Sequence, residues 1–411
     1  MAGPIPRIAI LGAGSRGRAY ARALAGTQST IIAIAEPHAF KRSTFVSNFI
    51  RGERCDPTVP GEAFASWEDL VAYETTLRSK LAAGEEVDRA PADAFIVCVL
   101  DEQHPAVVKA LAPLAAHVLC EKPLAPSLGA CLGMYADVVR GWKDAGREGV
   151  FGICHVLRYS PHNMLLRRLV REESVVGGVV SVEHTEPVGW WHFAHSYVRG
   201  NWRREDTSAP TLLTKSCHDI DFLLWLLATP PSDTPDAKPH LPATVTSSGT
   251  LTLHRRARKP RGAGEATNCL SCPVEPTCIH SAKKVYVERH LRGGNTGWPV
   301  SIVVPEIEDV RRSSGPEAAE QRLLEVLGED YGPETGDEKV KGRNWFGRCV
   351  FEADNDVCDD QTVVLAWEDG EGVEEMVPAP PGSRPARQGS APDRRTGAAG
   401  YPTSKVAGRG I

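Results

Sequence analysis

A glycine-rich turn lies between a strand pattern and a helix pattern near the N-terminus. Residues 7–11, RIAIL, form a short apolar run typical of a buried strand, and GAGSRG follows with Gly12, Gly14 and Gly17. A helix pattern and a second strand come next, and that strand ends at Glu36. This order and spacing predict a dinucleotide-binding unit, in which the glycines let the backbone approach a pyrophosphate at a helix N-terminus. A glycine turn in an unrelated α/β domain is the alternative.

Strands and helices continue to alternate after this unit. AFIVCVL (94–100) and HVLCEKP are apolar runs of the kind that buried parallel strands show, and a helical segment separates them. A helix pattern over 127–142 and another strand in GVFGICHVL (149–157) follow. This alternation predicts a Rossmann domain over residues 1–157, with a doubly wound parallel sheet.

After residue 157 the pattern changes to strands with long, irregular connections. The strand-like segments are GGVVSVEHTEPVGWW, ATVTSSGTLTLH, PVSIVV, RCVFEA and QTVVLAWE. They predict an α+β domain over 158–370 with a mostly antiparallel open sheet. Residues 371–411 are rich in Pro, Gly, Ala and Arg, which predicts a disordered tail.

Length and charge restrict the class of protein. A chain of 411 residues is longer than one core usually organises, so two domains are expected. A net charge of -5 argues against nucleic acid or an anionic membrane as a partner. The N-terminus does not resemble a signal peptide, and no apolar run approaches the ~20 residues of a membrane helix. A cytoplasmic location is therefore expected.

The segment CLSCPVEPTCIH (269–280) raises the question of a metal. Cys269, Cys272, Cys278 and His280 are four soft donors within twelve residues, and Cys349 could join them. Only one CxxC pair is present, so a structural zinc site and reduced thiols in a loop both remain open. We predict no metal among the catalytic groups.

Several of these motifs together resemble the glucose-fructose oxidoreductase/inositol dehydrogenase (Gfo/Idh/MocA) family. They are GAGSRG, Glu36, HVLCEKPLA and HDIDFLLWLL, and the resemblance covers roughly residues 5–370. It implies a nicotinamide cofactor and oxidation or reduction of a secondary alcohol on a sugar, cyclitol or related polyol. It also implies a homo-oligomer formed through the C-terminal sheet. Glu36 favours NAD because a carboxylate repels a 2′-phosphate, although the nearby Arg16, Lys41 and Arg42 leave NADP possible.

The resemblance also implies catalytic residues. The lysine of the family's Glu-Lys-Pro motif matches Lys122, and its active-site histidine matches His218. Members often carry an aspartate four residues before that histidine, but Thr214 stands there, beside Lys215. A neutral imidazole can accept the alcohol proton, and an ammonium can stabilise the developing alkoxide. Lys215 is a further catalytic candidate, and a simple ion pair between Lys215 and Asp219 is its alternative.

Polar groups after the strand ends and in one aromatic stretch complete the predicted site. Residues 184–206 are dense in Trp, His and Arg, which stack on sugars or bond their hydroxyls. An aromatic core or a subunit interface is the alternative for that stretch. The predicted cofactor-binding residues are Gly12, Gly14, Ser15, Arg16, Gly17, Glu36, His104, Glu121 and Lys122. The predicted substrate-binding residues are Arg158, Tyr159, Trp190, Trp191, His195, Arg199, Trp202 and Asp221.

Three functions remain compatible with these residues. The first is an NAD(P)-dependent oxidoreductase acting on CH–OH groups. The second is a glycoside-cleaving or isomerising enzyme that keeps its nicotinamide bound and uses it transiently. The third is a non-catalytic NAD(P)-binding protein.

Overall fold

A computed structural model describes residues 5–52, 59–230 and 237–368. Its main sheet has six parallel strands in the order β3-β2-β1-β4-β5-β6. The strands are β1 (Arg7–Leu11), β2 (Thr30–Ala35), β3 (Ala63–Phe64), β4 (Ala94–Val97), β5 (His117–Cys120) and β6 (Phe151–Ile153). The strand order reverses between β1 and β4, and ligands of such sheets bind at the carboxyl ends of the strands beside this reversal.

Helices cover both faces of this sheet. They are α1 (Ser15–Leu24), α2 (Ala39–Phe45), α3 (Trp67–Ala82), α4 (His104–Leu111) and α5 (Leu128–Asp144). Alternate residues of the strands enter two separate apolar cores. Leu11 and Val97 join the core that contains Met134 of α5, whereas Ile10 and Ile96 pack with Phe45 on the other face. Burial on both faces explains why these strands read as continuous apolar runs.

The rest of the described chain is mainly helices and turns. Its helices are α6 (Pro161–Arg167), α7 (Trp190–Phe193), α8 (Thr211–Thr214), α9 (Cys217–Leu227), α10 (Val300–Val303), α11 (Ile307–Gly328) and α12 (Asp337–Lys341). Helix α11 is broken at Gly315, whose φ is +92°. A nine-residue π-helix, Lys283–Leu291, packs with α10 and α11 around Tyr286 and Leu323 in a third core.

The expected fold class is confirmed, with less antiparallel sheet than the sequence pattern predicted. Within the described residues the antiparallel sheet has two strands, β7 (Thr244–Thr250) and β8 (Asp360–Ala366), paired from Thr244↔Ala366 to Thr250↔Asp360. Both belong to segments that were predicted as strands.

The three other predicted strands are wrong. Residues 178–189 form no strand, and Val180 is fully exposed. The run PVSIVV contains α10, whose valines are buried against α11, because a short buried apolar run does not distinguish a strand from a helix. The run RCVFEA forms turns, with one isolated bridge between Asn268 and Arg348.

No helix in the described ranges is both long and apolar enough to cross a membrane. The predicted tail, 371–411, lies outside the described residues.

Candidate active site

The glycine loop after β1 approaches its surroundings too closely for side chains at two positions. Gly12 has φ +103°, and a Cβ there would lie 2.5 Å from the carbonyl oxygen of Cys98. A Cβ on Gly17 would lie 1.9 Å from the carbonyl oxygen of Gly12. At Gly14 a Cβ would meet no described atom within 4 Å, so this side of the loop is open. Ser15 begins α1 directly behind it. The loop therefore fits a pyrophosphate held at a helix N-terminus.

Glu36 follows β2 and is fixed beside the glycine loop. It is buried, and its carboxylate accepts hydrogen bonds from the backbone N–H groups of Ala13 (2.8 Å) and His38 (3.0 Å). Arg42 donates to the backbone carbonyl groups of Glu36 (2.5 Å) and Pro37 (3.1 Å). These contacts hold a negative charge where the adenine-side ribose of a dinucleotide binds in this fold.

Glu121 and His104 position the segment that follows β5. Glu121 is buried and accepts a hydrogen bond from the Tyr20 hydroxyl (2.8 Å), with Arg16 Nε at 3.9 Å from the same oxygen. His104 is fully buried, and its ring lies within hydrogen-bond distance of the carbonyl oxygens of Pro123 (3.0 Å), Leu124 (3.2 Å) and Val99 (3.3 Å). This placement corrects the expectation that His104 binds cofactor, because both ring nitrogens of His104 face backbone carbonyl groups of the protein.

Lys122 reaches from the Rossmann sheet to the helices of the following region. Its buried ammonium donates a 2.8 Å hydrogen bond to the carbonyl oxygen of Thr214. It also lies 4.8 Å from the ring centre of Trp202, whose indole N–H donates to Asp101 at 2.8 Å. Burial lowers the pKa of Lys122, and the nearby Cys217 and Asp101 partly oppose this change.

His218 lies in the first turn of α9, four residues after Thr214, whose carbonyl group accepts the hydrogen bond from Lys122. Its ring contacts that of His155 edge-on at 5.8 Å, and its Nδ1 has no hydrogen-bond partner among the described residues. Burial lowers the pKa of His218 to about 3, and the positive charges of Lys122 and Lys215 contribute to this. The imidazole is therefore neutral near pH 7 and available to accept a proton.

The predicted pair between Lys215 and Asp219 is wrong. Lys215 Nζ lies 3.1 Å from Glu186, and Asp219 lies 2.8 Å from His184 Nε2. Both partners come from the irregular segment before α7, so their positions could not be read from helix spacing. Lys215 borders a groove between residues 177–188 and β8, and its charge still contributes to the lowered pKa of His218.

Arg158 and Asp221 form a bidentate ion pair beside His155. The guanidinium nitrogens lie 2.7 and 2.5 Å from the two carboxylate oxygens, and His155 Nε2 is 3.9 Å from Asp221. The side chain of Tyr159 is instead largely exposed, at 74%. Arg158 and Asp221 thus lie in one cluster on the His155 side of His218.

The aromatic stretch 184–206 divides between the site and the core. Trp202 contacts Lys122, whereas Trp191 packs on His290 and Trp298. Trp190 is 41% exposed and borders the same groove as Lys215. The aromatic-core alternative therefore explains Trp191, whereas the exposed Trp190 fits neither a core nor a contact with Lys122.

His195 and Arg199 are corrections to the predicted substrate pocket. His195 is 3% exposed, lies 2.9 Å from the Tyr286 hydroxyl and stacks on Phe346. Arg199 is 1% exposed and donates to backbone carbonyl groups of Arg348 and His280. Burial inside the C-terminal cores separates both side chains from a substrate.

The structure adds residues that the sequence interpretation did not select. Asp101, His155 and Cys217 each interact with Lys122 or His218. Burial raises the pKa of Asp101, and burial raises that of Cys217 to about 11. Asp101 follows the end of β4, and this position was the available signal for it. Across the described ranges, no three His, Cys, Asp or Glu side chains are grouped so as to hold a metal ion.

Residues 6–140 match the model of a family described as "Oxidoreductase family, NAD-binding Rossmann fold", GFO_IDH_MocA. This stretch of the chain is therefore similar to the Gfo/Idh/MocA family. The expected NAD-binding fold and the resemblance to this family are thereby confirmed for these residues.

The similar proteins match only part of this chain. A 2,7-anhydro-N-acetylneuraminate hydratase of Escherichia coli (strain K12) is 28% identical over 162 residues, which is 39% of this chain and 38% of the hydratase. Myo-inositol 2-dehydrogenase from Lactobacillus plantarum is 15% identical, with a TM-score of 0.43 over 62% of this chain and 61% of its own. The WlbA dehydrogenase from Bordetella pertussis, in complex with NADH and UDP-GlcNAcA, is 18% identical, with a TM-score of 0.42 and the same two coverages. The chain therefore spans less than two thirds of each of these proteins.

Proposed function

We propose that the protein is an NAD-dependent oxidoreductase that acts on a secondary alcohol of a sugar, cyclitol or related polyol. The observation that carries this proposal is the contact between Lys122 and the Thr214 carbonyl group, four residues before His218. Through this contact, the buried ammonium of Lys122 and the neutral imidazole of His218 belong to one site at the carboxyl ends of the strands of an NAD-binding domain. Bound NAD would accept or deliver the hydride.

His218 acts as the proton acceptor in the oxidation direction. Its lowered pKa keeps the ring neutral at physiological pH, and its Nδ1 is free of partners within the described chain. When it takes the hydroxyl proton it becomes an imidazolium near Lys122, a combination that favours return of the proton in the reverse direction. His155, in edge contact with the ring, restricts its orientation.

Lys122 stabilises the alkoxide that forms as the proton leaves. An ammonium has three N–H donors, and the Thr214 carbonyl group takes one of them. The remaining donors can reach a substrate oxygen in the same cleft. The Trp202 ring contacts the ammonium, and Asp101 holds that ring through the indole N–H. Developing negative charge in a buried site gains most from such a preorganised donor.

The substrate would bind between Trp202 and the Arg158–Asp221 pair. The face of an indole ring suits the C–H surface of a sugar, and a carboxylate paired with a guanidinium can bond hydroxyl groups. Trp202 contacts Lys122, and the Arg158–Asp221 pair lies beside His155, whose ring contacts that of His218; this arrangement supports the polyol class.

An assay of turnover separates this proposal from its alternatives. The full chain is incubated with NAD or NADP and a panel of sugars and cyclitols, while absorbance of the reduced cofactor and the products are both followed. Formation of reduced cofactor in proportion to an oxidised product supports the proposal. Absence of turnover across the panel, with tight cofactor binding, contradicts it and favours a non-catalytic binding protein.

A second candidate is a hydration, elimination or isomerisation that uses retained NAD transiently. The 28% identity to a hydratase supports it, as does Asp101, a carboxyl whose pKa burial raises beside Lys122. Such chemistry needs an additional proton donor, and Asp101 could serve as one. Product formation without net cofactor reduction would favour this candidate, and Asp101→Asn would then abolish the reaction.

A further inference from the structure

The first turn of α11 contacts helix α1 beside the glycine loop. Glu308, in that turn, lies 3.1 Å from Nη1 of Arg18, although 290 residues separate the two in the sequence. Arg18 directly follows Gly17, the last glycine of the loop. The C-terminal region therefore supplies a carboxylate next to the predicted cofactor position.

Packing on both sides of the break in α11 holds this turn in place. Ile307, which precedes Glu308, is fully buried in the third core. Glu306 lies 3.0 Å from Nε of Arg322, which is 16 residues further along the chain. Residues so separated in a straight helix would be about 24 Å apart, so the chain must turn back at Gly315. The acidic turn is thus tied to the second half of its own helix.

Charged side chains of both signs gather around the end of β2. Lys41, on α2, lies near Arg18, Glu36, Glu306 and Glu308. Burial lowers the pKa of Lys41, and the three carboxylates partly oppose this change. Two cations and three carboxylates thus meet where the adenine-side ribose of a dinucleotide binds in this fold.

Basic side chains at this position would suit a 2′-phosphate if they were free. Such a phosphate carries up to about two negative charges, and guanidinium groups bind it through charge-assisted hydrogen bonds. Glu36 alone stands against two cations, so it does not by itself decide between NAD and NADP. Glu306 is already paired with Arg322, which leaves Glu308 as the carboxylate that offsets Arg18.

We propose that Glu308 determines the preference of the cofactor site for NAD over NADP. By pairing with Arg18, it withdraws the guanidinium from a 2′-phosphate and adds a negative charge that repels one. This inference rests on the proposed function only in taking a nicotinamide dinucleotide as the ligand. Glu308 selects which dinucleotide binds and takes no part in the proton transfer assigned to His218.

Cofactor binding tests this proposal without reference to turnover. Dissociation constants of NAD and NADP are measured on the full chain by isothermal titration calorimetry. In Glu308→Gln, removal of one charge a few ångströms away should improve NADP binding relative to NAD by about fivefold or more. Glu317→Gln, the same change of charge at an exposed position in the second half of α11, is the control and should keep the wild-type ratio. An unchanged ratio in Glu308→Gln, or an equal shift in both variants, overturns the proposal.

A second substitution assigns the effect to Arg18. In the double variant Arg18→Gln/Glu308→Gln, the gain in NADP affinity should disappear, because the guanidinium that would bind the phosphate is absent. A gain that persists overturns the role of Arg18. The Glu308 side chain is 40% exposed, so the substitution should be tolerated, and thermal melts check this. Turnover with an unchanged ratio contradicts only this inference, whereas a shifted ratio without turnover contradicts only the proposed function.

Discussion

Lys122 Nζ donates a 2.8 Å hydrogen bond to the backbone carbonyl oxygen of Thr214, 92 residues further along the chain. This contact joins the segment after β5 to the last residue of α8, just before α9. It therefore determines where the ammonium stands relative to His218, and the proposed chemistry depends on it.

Lys122→Met should abolish most turnover while leaving NAD bound. Methionine keeps much of the apolar stem but removes the ammonium that stabilises the alkoxide, so kcat should fall about 10²- to 10³-fold. Initial rates and NAD titration measure the two effects. Lys143→Met, at an exposed site on α5, is the matched control and should match wild type. Equal activity of the two variants would remove Lys122 from the mechanism.

His218 should make the folded protein less stable as the pH falls. Its folded-state pKa of about 3 is below its ordinary value of about 6.5, so the unfolded chain binds more protons between these values. Stability from this group is therefore fully present above about pH 6.5 and declines as the pH falls towards about 3.

Urea unfolding of His218→Gln checks this sign. The stability difference between wild type and His218→Gln should shift against wild type as the pH falls from about 7 to about 4. His162→Gln, an exposed histidine on α6, is the control, and its difference from wild type should stay constant. A constant difference for His218→Gln as well would contradict the assignment of a half-buried, neutral imidazole.

Gly14→Ala and Gly17→Ala should fail in different ways. A Cβ at Gly14 meets no described atom, so the variant should fold normally but lose NAD affinity if a pyrophosphate approaches there. A Cβ at Gly17 collides with the Gly12 carbonyl group, so that variant should be destabilised even without cofactor. Thermal melts with and without NAD distinguish the two outcomes. Unchanged NAD affinity in Gly14→Ala would argue against the predicted cofactor position.

Trp202→Phe should affect catalysis more than cofactor binding. It removes the indole N–H bonded to Asp101 and weakens the cation–π contact with Lys122, which is worth about 0.5–2 kcal/mol. We expect a lower kcat and a raised substrate KM, with NAD affinity retained. Trp142→Phe on α5, which likewise removes an indole N–H, here bonded to the Ala116 carbonyl group, is the control. A change confined to NAD affinity would assign Trp202 to the cofactor instead.

The Rossmann fold could be predicted because its signals are local. The glycine turn and the apolar runs of β1, β2, β4, β5 and β6 each follow from a few neighbouring residues. Strand β3, only two residues long, carries too little pattern to be recognised. In the C-terminal region, the apolar valines of α10 are helical because they pack against α11. The neighbouring residues in the sequence do not reveal this packing.

The site was only partly predictable for the same reason. Lys122 and His218 were selected as candidates through the family resemblance. The partners of Lys215 and Asp219, however, come from the irregular segment 177–188. Likewise, nothing in the residue types of 184–206 showed that Trp202 would reach Lys122 while Arg199 entered the core.

The acceptor for Lys122 at position 214 belongs to the main chain, so every amino acid provides it. A substitution of the side chain at this position would leave the hydrogen bond from Lys122 intact. Only a change in the path of the backbone would break it. The contact is thus insensitive to most single-residue substitutions at position 214.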